Sequence, residues 1–342
     1  MSYVVSSSEK TKGIGAEFET KAMLYLMSDR DDSHKIYNFA IDFFNDVTGL
    51  DIHSTKAWDL QSKGTKTGGP KDIGRAMVTL FKNYMSELHF DYLILFLAKV
   101  PSTLRKDDTL TSFTIDNIPE KVMVGIKKGL VEESRDKTYI NNKWVTDQNI
   151  DAFLQQVTFV VDNKSKAEYI KHIIRLNPKF IPNDAVLDGI FNIIRDAQSS
   201  KKNNKSVEGE VVEHLRDATK YDRIIKVKEI RLMVVNTLIN RNIVGSGTPV
   251  CFFPIIQRFD GIKQKNIIED CQLQIAVALS DKANTDSFWD LFNVIYDVVI
   301  SNRCLTVTET YALIENDEAI NKTLLDDFAI YYLISLMKEA LG

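Results

Sequence analysis

Cysteine is scarce in this 342-residue chain, and the three it has, Cys251, Cys271 and Cys304, lie far apart with no CxxC pair. That speaks against a disulfide framework and a cysteine-ligated zinc, and for free thiols in a reducing compartment. The five histidines are scattered, with no HExxH or HxH pair, which removes the usual zinc hydrolases. No apolar run approaches the roughly 18 residues needed to span a bilayer. Residues 1–8, Met-Ser-Tyr-Val-Val-Ser-Ser-Ser, lack the basic and apolar regions of a signal peptide. The expectation is a cytoplasmic protein with no membrane partner. Positive charge is not in excess either: 43 Lys and Arg against 47 Asp and Glu give a net charge of −4. Any nucleic-acid role would need a local basic face, because phosphate neutralisation dominates such binding. Gly68-Gly69-Pro70 lacks the Gly-Lys-Ser/Thr ending of a phosphate-binding loop, and Gly245-Ser246-Gly247 lacks GxSxG spacing.

What is present is an ordinary soluble composition, 44% hydrophobic and 26% charged, in a chain long enough for one large domain or two ordinary ones. Apolar spacing predicts a helix from Gly15 to Met27 and a strand from Ile36 to Val47. A hairpin-like turn at Thr48–Asp51 and a short second strand at Trp58–Gln61 follow. A single helix is expected over Lys71–His89, then a strand buried on both faces at Asp91–Ala98. Helical spacing returns at 119–131, a strand at 155–161, and helices at 167–176, 184–197 and 221–240. Lys201–Lys205 reads as a solvated loop. Gly245–Pro249 is the clearest linker. Beyond it, Val250–Ile256 and Leu273–Leu279 read as strands or short buried segments, and 288–300 and 324–341 as helices. The order is that of an α/β (α+β) fold with a central mixed sheet flanked by helices, then a mainly helical region and a smaller C-terminal subdomain.

One constellation carries chemistry. Asp42 and Asp46 sit four apart on the first expected strand, so a regular strand puts them on one face. Gln61 and Lys63 close the second. Glu17 and Glu19 differ by about 200° around the first helix, so one of them can face the same point. Carboxylate and amide oxygens are the ligands Mg²⁺ or Mn²⁺ takes. A lysine beside them can orient water or steady a charged transition state. Taken alone, the spacing is weak: an Asp at a strand end is usually a turn or cap residue.

The order of elements adds to it. A Gly15-Ala16-Glu17-Phe18-Glu19 helix, an acid-bearing strand, a strand ending Gln61-Ser62-Lys63, a helix and a buried strand resemble the PD-(D/E)xK restriction-endonuclease-like nucleases. More narrowly, they resemble the double-stranded-DNA endonuclease effector domain of CBASS (CD-NTase-associated) and Lamassu-type anti-phage systems. There the second motif is commonly Gln-x-Lys, preceded by an E-x-x-D-D cluster. Here Asp42 stands where the glutamate is expected, Asn45 replaces the first paired aspartate, and Asp46 matches the second. The resemblance implies a restriction-endonuclease-like core over about 13–162 within a nuclease domain of 13–244. It leaves 250–342 as an accessory, oligomerisation or partner-docking subdomain. It implies Asp46, Gln61, Lys63 and Glu19 as catalytic residues, and Asp46, Gln61, Asp42 and Glu17 as metal ligands.

Local charge agrees in sign. Between Lys56 and Lys82 the chain carries a net +4, so Lys56, Lys66, Lys71 and Arg75 are the expected nucleic-acid contacts. The expected function is Mg²⁺-dependent hydrolysis of double-stranded DNA by a homo-oligomer, or by a complex with a defence-system sensor or ATPase subunit. RNA is open as a substrate. The alternative is a catalytically weak or inactive nuclease-like DNA-binding or assembly subunit, motivated by the departures at Asp42 and Asn45.

Overall fold

The computed structural model describes residues 3–6, 13–64, 69–174, 182–203, 206–238, 247–280 and 285–341. The chain divides into two compact units, residues 1–169 with 191–226, and residues 170–190 with 227–342. Of the linker expected over 245–249, residues 245–246 lie outside the described residues and 247–249 are described as irregular chain.

The first unit is built on a seven-stranded mixed sheet. In chain order its elements are β1 (Tyr3–Val4), α1 (Gly13–Ser28), β2 (Asn38–Ile41), β3 (Val47–Leu50), β4 (Ala57–Lys63), α2 (Pro70–Ala76) and α3 (Val78–Tyr84). There follow β5 (Tyr92–Leu97), β6 (Ser112–Phe113), α4 (Glu120–Asp136), α5 (Asp147–Gln156), β7 (Val157–Val161), α6 (Lys166–Ile174), α7 (Asp184–Lys202), β8 (Val211–Val212) and β9 (Ile224–Lys226). Helices α6 and α7 each contribute to both units. The sheet runs β6-β7-β5-β4-β3-β2-β9. β4, β5 and β7 are mutually parallel, and the remaining pairings are antiparallel. β1 and β8 form a separate two-stranded ribbon.

Alternation along β5 sorts the layers. Phe96 meets Phe18 and Tyr25 of α1, while Leu93, Leu95 and Leu97 join a core with Phe81, Ile126 and Phe153 of α3, α4 and α5. Both faces are thus covered, which is why this strand reads as a continuous apolar run.

Several expected boundaries move. The strand expected over Ile36–Val47 ends at Ile41, and Asp42–Asp46 form the hairpin turn closed by Asp42 N–H donating to Asp46 O at 3.0 Å. Asp42 has φ +50, a conformation aspartate tolerates better than most residues. Phe43 and Phe44, both 2% exposed, turn inward and anchor the bend. Thr48–Asp51 is therefore no turn: Thr48 and Gly49 lie inside β3, opposite Asp59 and Trp58. A Cβ at Gly49 would come 3.0 Å from the Ile36 side chain, so that side chain would have to shift.

The expected helix over 71–89 breaks at Met77 into α2 and α3. The break lets α2 lie against α4 while α3 covers β4 and β5. Ile224–Lys226, expected to be helical, pairs with β2 as an edge strand. Lys201 and Lys202, expected in a loop, belong to the last turn of α7.

The second unit is helical in its described residues. It contains α8 (Val227–Leu238), α9 (Phe253–Ile256), α10 (Gly261–Ser280), α11 (Thr285–Ser301), α12 (Val307–Ala312), α13 (Glu318–Lys322) and α14 (Asp327–Leu341). Leu273–Leu279 is helix, not strand: Cys271, Ile275, Ala278 and Leu279 are buried at helical spacing. In α14, residues 332–337 are all buried, so this helix is the hydrophobic centre of the unit. No helix of the described residues is long and apolar enough to cross a membrane.

The α2–α4 contact yields a stability prediction. A Cβ at Gly129 would lie 2.1 Å from the Lys71 carbonyl oxygen and 2.7 Å from its Cα, and backbone cannot yield as a side chain can. Gly129→Ala should cost about 3 kcal/mol despite alanine's better helix propensity. Gly189→Ala in α7, where nothing lies within 4 Å, should be neutral or stabilising by up to about 1 kcal/mol. Urea unfolding midpoints that fail to separate the two substitutions would refute the close-packing account.

Candidate functional site

The β2–β3 turn and the end of β4 come together by register. Val47 faces Leu60 across β3–β4, so one further step puts Asp46 opposite Gln61. A single carboxylate oxygen of Asp46, Oδ2, accepts three hydrogen bonds at 2.8 Å, from Gln61 Nε2, Ser62 N–H and Ser62 Oγ. Asn45 Oδ1 accepts from the Asp46 N–H at 3.1 Å. Asp46 Oδ1 takes no hydrogen bond from the described residues. Burial nevertheless pushes the Asp46 carboxyl above its usual range, against the pull of Ser62 and Lys202.

From α1, Glu19 turns toward this point and is 9% exposed. Burial, then the charge of Asp46, pushes its carboxyl up to about 7. Glu17 does not join. It pairs with Lys166 at 2.7 Å, so of the two helix glutamates Glu19 is the one that faces the cluster. Asp42 sits across the turn beside two cations, Arg223 at 3.4 Å and Lys202 at 3.8 Å. Lys63, the last residue of β4, is exposed and makes no ion pair with these groups.

Lys202 completes the cluster. Its Nζ lies 3.0 Å from Glu19 Oε1 and 3.3 Å from Oε2. Its side chain is only 8% exposed. One helical turn earlier, Gln198 accepts a hydrogen bond from Thr20 at 2.8 Å, fixing α7 to α1. Arg223 arrives through β9: its carbonyl accepts from the Ile41 N–H at 2.8 Å, and its guanidinium is buried against Asp42. Sequence reading missed both cations. Lys202 falls in the run expected to be a solvated loop, and Arg223 in the segment expected to be helical.

Asp59, also missed, supports the turn from below. Wholly buried, it accepts from Thr48 at 2.9 Å, Asn45 at 3.2 Å and Asn83 at 2.7 Å. Asn83 also donates to Phe44 O at 3.2 Å, and Tyr3 bonds Asn83 at 2.8 Å. The alternation on β4 that put Gln61 and Lys63 on one side puts Asp59 there too. That spacing was its only sequence signal.

The expected basic face is only partly assembled. Lys56 precedes β4, about 23 Å from Lys63 at some 3.3 Å per strand residue. It lies at the opposite end of the strand from Lys63. Lys71 and Arg75 on α2 share Glu132, at 2.9 and 3.4 Å. Lys82, counted in the positive run, points inward over the Tyr3 ring and donates to Val4 O at 2.7 Å. Lys66 lies outside the described residues.

For a divalent ion the donor set is right in kind, all oxygen from Glu19, Asp42, Asp46 and Gln61. It is not right in placement. Among the described residues no three acidic, histidine or cysteine side chains converge closely enough to hold a metal, and the Lys202 ammonium lies between Glu19 and Asp42. Comparison of the chain with protein-family models, with curated proteins and with solved structures finds no match.

Asp59 generates a pH prediction. Burial raises its pKa from 3.8 to about 6, against three hydrogen bonds that lower it. The folded state therefore holds this proton more tightly than the unfolded chain. The contribution to stability is full below the unfolded value and is lost as pH rises through about 6. Relative to Asp59→Asn, the wild type should lose on the order of 3 kcal/mol of unfolding free energy between about pH 4 and about pH 7. A difference that stays constant over that range would refute it.

Proposed function

We propose that the first unit is a restriction-endonuclease-like nuclease that hydrolyses phosphodiester bonds of double-stranded DNA with Mg²⁺, as an anti-phage effector. The observation that carries this is Asp46 locked against Gln61 and Ser62 at the end of β4, with Glu19 beside it and Lys63 two residues on. An acid-bearing hairpin, a Gln-x-Lys strand and a following parallel strand, with a helix supplying a further glutamate, suit that reading.

In it Asp46, Gln61, Glu19 and Asp42 are the groups that would hold the ion. When bound, the ion supplies a polarised phosphate and a more acidic water. The three donors on Asp46 Oδ2 fix the carboxylate at the end of β4. Gln61, donating its amide N–H to Asp46, turns its carbonyl oxygen away from that bond. Lys63, exposed at the strand end and in no ion pair with these groups, would meet an anionic substrate in this reading. The helical second unit is the accessory part, open to a second copy or to a sensor or ATPase subunit.

One observation favours the alternative of a nuclease-like assembly subunit. Lys202 and Arg223 already compensate the carboxylates, as in a structural ion-pair network. Supercoiled plasmid incubated with the full chain and millimolar Mg²⁺ separates the two readings. Wild type should nick or linearise it, and Lys63→Ala and Asp46→Asn should each slow this by about 10²-fold or more. Equal cleavage by all three proteins would overturn the residue roles. No cleavage with Mg²⁺ or Mn²⁺ would favour the assembly subunit.

A further inference from the structure

We propose that Tyr3 is a positioning residue for the β2–β3 turn: its hydroxyl holds the Asn83 amide in the one orientation that ties down both Phe44 and Asp59, and so fixes where Asp46 stands. What the turn then does rests on the nuclease reading; how it is held does not.

Asn83 lies on α3 and is wholly buried. Its side chain meets three polar groups of unlike chemistry. Two are acceptors: Nδ2 donates to Asp59 Oδ2 at 2.7 Å and to Phe44 O at 3.2 Å. The third is a donor, the Tyr3 hydroxyl, 2.8 Å from Oδ1 and 3.3 Å from Phe44 O. A primary amide carries two N–H donors on one arm and its acceptor on the other, so this set selects one orientation. Turned over, the amide would set Oδ1 against two further oxygens. Without the Tyr3 hydroxyl, the favoured orientation leaves a buried acceptor unpaired, which is costly.

From Asn83 the tie reaches Asp46 in short steps. Asn45, in the turn beside Phe44, donates to the same Asp59 Oδ2 at 3.2 Å, and its Oδ1 accepts from the Asp46 N–H at 3.1 Å. Tyr3 is itself firmly seated. It is 5% exposed, pairs with Val212 across β1–β8, and meets the Phe44 ring edge-on at 5.6 Å between centroids. Lys82, next to Asn83 on α3, donates to Val4 O at 2.7 Å and lies 4.2 Å over the Tyr3 ring. A phenylalanine at this position would keep the strand pairing and the ring contacts and lose only what the hydroxyl bonds.

Tyr3→Phe in the full chain, followed by hydrogen exchange in NMR spectra, isolates that one atom. The Asn83 side-chain N–H protons and the backbone amides of Asp42 and Asp46 should exchange at least about fivefold faster than in wild type, the effect of one unpaired buried acceptor. Ile126→Val trims a fully buried residue of α4 that bonds none of these groups, and so controls for a general loss of stability. It should leave the same protons within about twofold of wild type, because their opening is local. Exchange unchanged in Tyr3→Phe, or raised equally in Ile126→Val, overturns the proposal. Plasmid cleavage with Mg²⁺ then reads what the turn does. Tyr3→Phe should lower the maximal rate by a similar factor, with little change in the DNA concentration that gives half of it, and Ile126→Val should not. Wild-type cleavage that Tyr3→Phe leaves unchanged, despite faster exchange, would also overturn the positioning role. No cleavage by wild type would sink the nuclease reading, and the tie between Tyr3 and the turn would still stand or fall by the exchange rates.

Discussion

The buried carboxylate of Asp59 is the interaction on which the geometry of the first unit's site depends. Among the described residues no salt bridge pairs it, and it is held by hydrogen-bond donors: Thr48 from the next strand, Asn45 from the hairpin turn and Asn83 from α3. Such a group is tolerable only if its hydrogen bonds are all made. Each donor is therefore fixed in place by the need to satisfy it. Asn45 is the residue before Asp46, and Asn83 also bonds the carbonyl of Phe44. The network thus reaches from the sheet interior to the turn and sets where Asp42 and Asp46 can be.

The site has two halves of different origin. Its acidic half is local: Asp42, Asp46 and Gln61 fall within one hairpin and the strand after it. Its basic half comes from far along the chain, at sequence separations of 183 for Glu19 and Lys202 and 181 for Asp42 and Arg223. Local register places the acids, and their mutual repulsion is relieved by cations from α7 and from the approach to β9. The last segments of this unit to be made are the ones that neutralise it.

That division explains what could be read from the sequence. Glu19, Asp46 and Gln61 were legible because helix and strand periods are local rules, and the register needed only a short hairpin. Phe43 and Phe44 misled: two consecutive aromatics look like strand, yet here both turn inward at a bend, so the turn was placed one strand too late. Lys202 and Arg223 were illegible because a lysine in a polar run and an arginine in a basic stretch are solvated far more often than buried. Nothing within a few residues of either announces the carboxylates they meet. At Lys71 and Arg75 the sequence could not show the counter-charge, because Glu132, which pairs with both, comes from α4.

Charge balance gives the cluster its character. Glu19, Asp42 and Asp46 carry three negative charges when ionised, and Lys202 and Arg223 carry two positive ones, so the buried group is short by one. A proton on Glu19 makes up the difference, in keeping with its rise to about 7. With that proton in place the network is neutral in the interior, where an uncompensated charge is costly.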